Sequence, residues 1–130
     1  MKSTVATYYS GSGYSSKAVD GDVTTEYVSY YSDRPWWSVD LEAHYVVKAI
    51  RVLPNEYYSR FRYISVFVGV TKVLGLSDLD THMLVGEYVG PYTASLGWLE
   101  FNVNETACGR YVSLKGTSDY LHVYEVEVLV

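Results

Sequence analysis

Short runs rich in Val, Ile, Tyr and Trp recur along the chain between turn signals, and helical periodicity is almost absent. That pattern predicts strands at residues 36–41, 46–52, 63–70, 84–89, 96–103, 110–114 and 121–128. In Ile64-Ser65-Val66-Phe67-Val68 and in Tyr124-Glu125-Val126-Glu127-Val128 residue types alternate, as they do when a strand buries one face. The last strand is therefore expected to pack on a core. Between Val47 and Ile50 the alternation slips by one residue, which predicts a bulge. The one helical hint is a turn after Ser77. The class is all-β, a sandwich or barrel, and nothing along the chain reads as a repeat, a low-complexity tract or a linker.

Length and composition refine this picture. A chain of 130 residues is the size of one domain with one core, and 48% apolar with 19% charged residues places it among folded globular chains. The formal charge is -5, and the basic residues are scattered instead of forming a stripe, so neither nucleic acid nor an acidic membrane surface is the expected partner. No apolar run approaches the roughly 20 residues that span a bilayer. The first ten residues run from Lys2 into Tyr8 and Tyr9 without an apolar core or small-residue cleavage site, so they are not expected to act as a signal peptide. Cys108 is alone and permits no internal disulfide.

Fifteen tyrosines are the compositional oddity. Tyrosine suits strands, and in loops it offers a rigid, half-polar contact surface. His44, His82 and His122 are scattered without metal spacing and are expected to be ordinary satisfied or exposed side chains. Trp36, Trp37 and Trp98 read as core or strand residues, and Cys108 as a buried small hydrophobe. Carboxylate pairs such as Asp78 with Asp80, or Glu125 with Glu127, fit turns and strands, and no nucleophile elbow, phosphate loop or zinc motif is present, so no catalytic activity is expected.

The sharpest local signal lies in residues 17–25, Lys-Ala-Val-Asp-Gly-Asp-Val-Thr-Thr, where acidic and hydroxyl oxygens surround a turn-forming glycine. Such a loop suits either an ordinary turn or a hard cation, and calcium would need carbonyl oxygens and a distant carboxylate to complete six to eight ligands. Glu125 is the candidate for that carboxylate.

Taken in order, Ala18-Val19-Asp20-Gly21-Asp22, Pro35-Trp36-Trp37-Ser38-Val39-Asp40-Leu41, Tyr45, Val47, Ile50, Val52, Gly109-Arg110-Tyr111-Val112 and Glu125-Val126-Glu127-Val128 resemble the signature of the F-type lectins, or fucolectins, of the discoidin and galactose-binding-like superfamily. The resemblance covers nearly the whole chain. It implies a discoidin-like jelly-roll β-sandwich of about eight strands, with a structural Ca2+ ion held by the Lys17 carbonyl, Asp20, the Asp22 carbonyl, Thr25, the Tyr124 carbonyl and Glu125. It further implies a calcium-stabilised lectin outside the cell or on its surface, with a glycan of fucose or galactose type as partner.

The chain departs from that family where the sugar binds. In fucolectins a histidine before Pro-Trp-Trp and two arginines after the following strand hold fucose. Here the loop 27–34 has no histidine, the first arginine has no counterpart, and only Arg60, or else Arg62, matches the second. The family's neighbouring cysteines are replaced by Tyr57 and Tyr58. The ligand-binding candidates at this end are Tyr30, Tyr31, Asp33, Arg34, Asn55, Glu56, Tyr57, Tyr58 and Arg60, a set able to place a ring face under a pyranose and polar groups around its hydroxyls. An equally weighted alternative has Tyr57 and Tyr58 filling the space of the missing disulfide while Arg60 pairs with a carboxylate. At the level of function, the alternatives to an altered-specificity lectin are a protein-interaction or adhesion module and, last, a phospholipid-binding domain. Oligomeric state and membership of a larger protein stay open.

Overall fold

A computed structural model describes residues 4–6, 13–117 and 120–130. Seven strands are present among them: β1 (Thr4–Ala6), β2 (Tyr27–Val28), β3 (Trp36–Pro54), β4 (Ile64–Gly69), β5 (Met83–Tyr88), β6 (Leu99–Lys115) and β7 (His122–Leu129). All pairings are antiparallel, in the order β2-β7-β3-β6-β4-β5, with β1 added beside β3. No helix among the described residues is long and apolar enough to cross a membrane.

Two long strands make this one sheet into a sandwich. The first part of β3, residues 36–40, pairs with β1 and with the last part of β6, which in turn pairs with β4. The second part, residues 49–52, pairs with β7 and with the first part of β6. Register shifts between Asp40 and Tyr45 and between Val47 and Ala49 bend β3 from one layer into the other. The second shift is the bulge expected between Val47 and Ile50.

Alternation fills the space between the layers. Trp37, Val39, Ile64, Val66, Val68, Val112 and Leu114 from one layer meet Ile50, Val52, Phe101, Val123 and Val126 from the other in a single buried cluster. On the outer face of the first layer, Trp36 and Phe67 are covered by a small second cluster of Val73, Leu79 and Tyr111. The loop that supplies Val73 and Leu79 contains the 3-10 helix Leu76–Thr81, which is the turn expected after Ser77. On the outer face of the second layer, Arg51 stands opposite Glu100 and Glu127 in the two ladders, at 3.7 and 3.1 Å, and beneath Trp98.

Several sequence expectations are corrected. Residues 36–41 and 46–52 belong to one strand, as do 99–103 and 110–114, because the polar or exposed stretches between them are bends within paired strands. Strands β1 and β2 escaped notice because two or three residues carry no readable period. Leu96 belongs to a 3-10 turn, Ala94–Leu96, before β6 begins. Cys108 is exposed, not buried: it lies opposite Val46 between the two bends, where the strands have little to cover them. In β7 the alternation breaks at a register shift between Leu53 and Pro54 of its partner, so Glu125 and Val126 are both buried.

Candidate functional site

The end of β3 and the starts of β3, β4 and β7 bring three loops to one end of the sandwich. Asn55 organises the longest of them. Its side-chain oxygen accepts from Tyr57 N at 2.7 Å, an Asx turn that leads into the 3-10 turn Tyr57–Ser59, while its own N–H donates to the His122 carbonyl. Phe61 anchors the far side of the loop in the core against Tyr88 and Tyr92. Along this loop Tyr58, Ser59 and Tyr63 all have positive φ, of 51°, 55° and 51°. Side chains that rarely adopt this conformation cost of order 1–3 kcal/mol each, and such residues concentrate at functional sites.

The strained loop presents Arg60 to a group of rings. Its guanidinium lies 3.9 Å from the centroid of Tyr120, 4.9 Å from that of Tyr57 and 5.8 Å from that of Tyr58. Tyr57 and Tyr58 lean on each other, and Tyr31 meets Tyr120 edge to face. Behind the rings, Arg60 Nη1 approaches His122 Nδ1 at 3.3 Å, and the opposite nitrogen of that imidazole stands 2.8 Å from Glu26 Oε2. The second contact is short but off the line of a hydrogen bond. Glu26 Oε2 also accepts from Asn55 Nδ2 at 2.8 Å. Burial lowers the His122 pKa, the Glu26 carboxylate opposes this, and Arg60 lowers it further.

Of the expected ligand-binding residues, the structure thus brings together Asn55, Tyr57, Tyr58 and Arg60, with Tyr31 joined through Tyr120. Glu56 turns aside to accept from Ala94 N at 2.7 Å. Tyr30, Asp33 and Arg34 are exposed in the adjoining loop, and among the described residues no hydrogen bond, ion pair or ring contact ties them to the cluster. Tyr57 and Tyr58 are 51% and 75% exposed, so they do not fill a buried gap, and no described carboxylate pairs with Arg60. Glu26, Tyr120 and His122 went unrecognised in the sequence. Tyr120 and His122 lie two residues apart, but Glu26 comes from a distant segment, and only the pairing of β2 with β7 makes it their neighbour.

The loop 17–25 closes over the other half of β7. Gly21, at φ 75°, donates its N–H to Glu125 Oε2 at 3.0 Å. Asp20 accepts from Asp22 N and from Thr25 Oγ1, and the Asp22 carbonyl faces Thr25. Burial pushes the Glu125 carboxyl up to about 7, the Gly21 N–H draws it back, and the nearby Asp20 carboxylate raises it again. Glu125 Oε1 is buried without a hydrogen-bond partner, and Tyr124 falls in the register shift of β7, out of both neighbouring ladders. Among the described residues no three acidic, histidine or cysteine side chains converge, so a cation here would depend on carbonyl and hydroxyl oxygens beside Asp20 and Glu125. An orphaned buried carboxylate oxygen amid hard oxygen donors fits calcium.

A groove of about 530 Å³ opens at the other ends of these strands, lined by Val19, Val39, Leu41, Glu42, Tyr45, Val126, Val128 and Val130. It lacks the convergent polar groups that orient a sugar. The loop end is the better candidate on chemistry.

These features match a known class. The family model of the NedA-like, galactose-binding domain, of the F5/F8 type C group, matches residues 17–114, and the chain belongs to that family. In fold it is similar to a fucolectin from striped bass (Morone saxatilis) serum, with a TM-score of 0.83 and 22% identity over 98% of this chain and 44% of that one. Chitosan-binding module 1 of a Paenibacillus sp. IK-5 chitosanase/glucanase gives 0.78 and 23% over 99% and 95%. The lectin domain of lectinolysin, complexed with Lewis B antigen, gives 0.78 and 19% over 98% and 92%. A search of curated protein sequences gives no match.

Proposed function

We propose that this domain is a carbohydrate-binding module, not an enzyme, which holds a glycan at the tyrosine-lined loop end and is stabilised by calcium beneath the loop 17–25. The observation that carries the reading is the Arg60 guanidinium, fanned by Tyr57, Tyr58 and Tyr120 and backed by His122, Glu26 and Asn55. Exposed ring faces beside an oriented set of donors and acceptors are what a pyranose needs. The ligands of the structural neighbours, chitosan and Lewis B antigen among them, support a glycan as partner. The missing histidine and first arginine support a preference different from that of fucolectins.

Calcium would be held by the carbonyls of Lys17, Asp22 and Tyr124 with Asp20, Thr25 and Glu125. Its contribution is charge: it removes the repulsion between two carboxylates and ties the loop to β7. By the same family logic the domain works outside the cell or at its surface. A protein surface as partner is the second reading, favoured by Tyr30, Tyr31 and Tyr63 standing 55%, 65% and 57% exposed around the cluster.

A glycan array probed with the folded domain, once in calcium and once in chelator, separates these. Binding to a coherent glycan set, weakened on chelation, is expected. Silence from a folded sample in calcium would reject the lectin reading in favour of a protein partner.

A further inference from the structure

The contacts behind the rings define more than a scaffold. Asn55 and His122 both address Glu26 Oε2, and on the far side of the imidazole Nδ1 faces Arg60 Nη1. A guanidinium has donors only and keeps its charge. His122 Nδ1 therefore accepts, while Nε2 on the other side of the ring stands 2.8 Å from Glu26 Oε2, off the line of a hydrogen bond.

A positive and a negative group thus stand one imidazole apart, both reaching the loop end, with the imidazole 5% exposed beneath them. Other described charges nearby do not upset the balance. Glu56 is engaged by Ala94 N, while Asp33 and Arg34 offset each other in the adjoining loop. A uronic acid placed here would gain Arg60 and meet Glu26. An amino sugar would gain Glu26 and meet Arg60. Out of bulk water, like charges a few ångströms apart cost far more than they do in solution, and such repulsion is how a site rejects a near-relative of its ligand. A neutral sugar meets neither penalty, since its hydroxyls can donate to the carboxylate and accept from the guanidinium.

We propose that Glu26 and Arg60, held apart by His122, make this site select neutral pyranoses through a vicinal pair of hydroxyls and reject the corresponding uronic acids and amino sugars. The proposal deepens the carbohydrate-binding reading and rests on it. His122 is a positioning residue, since it is buried under the two groups that would touch the sugar.

Calorimetric titration of the intact chain in calcium tests it. The probes are the methyl galactoside, glucoside and mannoside, each beside its uronic-acid and 2-amino counterparts, with methyl fucoside as a further neutral sugar. In whichever series binds, the neutral member is expected to be at least about tenfold tighter than either charged one. A charged member binding as tightly or more tightly would overturn the selectivity and leave the lectin reading standing. Failure of every probe to bind would overturn both. Glu26→Gln is expected to raise uronate affinity relative to the neutral sugar by about tenfold, and an unchanged ratio would contradict the proposal. His122→Phe should erase the discrimination. His122→Gln should restore it, because its amide oxygen can accept from Arg60 while its nitrogen donates to Glu26. A merely structural role for His122 would alter thermal stability without moving that ratio. If His122→Phe does not fold, Glu26→Gln carries the test alone.

Discussion

Arg60 is the residue on which the loop end depends, and its shape matters as much as its charge. A flat guanidinium lies against Tyr120 and Tyr57 and still points a nitrogen at His122; a lysine ammonium offers neither the plane nor the fork. Arg60→Lys is therefore expected to lose at least about tenfold in glycan affinity with little change in Tm, as is Tyr57→Ala. Parent-like binding in both variants would place the ligand elsewhere. Glu125 makes a second residue-level prediction. Its folded pKa is raised from 4.5 to about 7, so the folded state holds the proton more tightly than the unfolded chain. The stability this contributes is fully present below the unfolded value and is lost as pH rises through about 7. In chelator, Tm should fall across that window. Calcium, which needs the charged carboxylate, should bind better as pH rises and flatten the slope. At about a hundred times its dissociation constant it would add about 2.7 kcal/mol, on the order of 10 °C in Tm for a domain of this size. His122 titrates in the opposite sense, so Glu125→Gln is the control: thermal melts of that variant should show neither the Glu125 slope nor the calcium response.

At the scale of elements, the two long strands decide what was legible. Trp37, Val39, Ile50 and Val52 alternate cleanly and read as strand core, while the exposed run between them read as a loop because its bends expose consecutive residues. The bulge after Val47 was visible because it shifts the apolar period by one. The shift at Tyr124 was invisible in sequence, since Tyr, Glu and Val continue to alternate through it, and only the pairing with β3 shows that Glu125 turns inward. The same limit applied to the site. Asn55, Tyr57, Tyr58 and Arg60 share one loop and were read together, whereas Glu26 and His122 join them by strand pairing, which no local period reports. Where β6 runs beside the end of β4, Gly109 has no room for a side chain: an added Cβ would stand 2.7 Å from Val68 Cγ1 and 2.8 Å from the Gly69 carbonyl. Gly109→Val is expected to destabilise by about 1–3 kcal/mol, read from denaturant unfolding. A neutral result would mean that the two strands can separate there without loss.

For the whole molecule, the two functional features divide the strand β7. Its first residues support the ring cluster, its middle carries Glu125 under the loop 17–25, and its last residues line the apolar groove at the opposite end. Calcium is thus expected to stiffen the domain without touching the glycan, and variants of the loop end should leave the calcium response intact. The central claim is that glycan binds at the tyrosine-lined end. Its most direct test is a titration of the isotopically labelled domain with its best array ligand, followed by backbone and side-chain amide shifts in NMR spectra. Shifts gathered on Glu26, Asn55, Tyr57, Tyr58, Arg60 and Tyr120 are the predicted result. Shifts gathered instead on Val39, Leu41, Tyr45, Val126 and Val128, with the loop end silent, would contradict it.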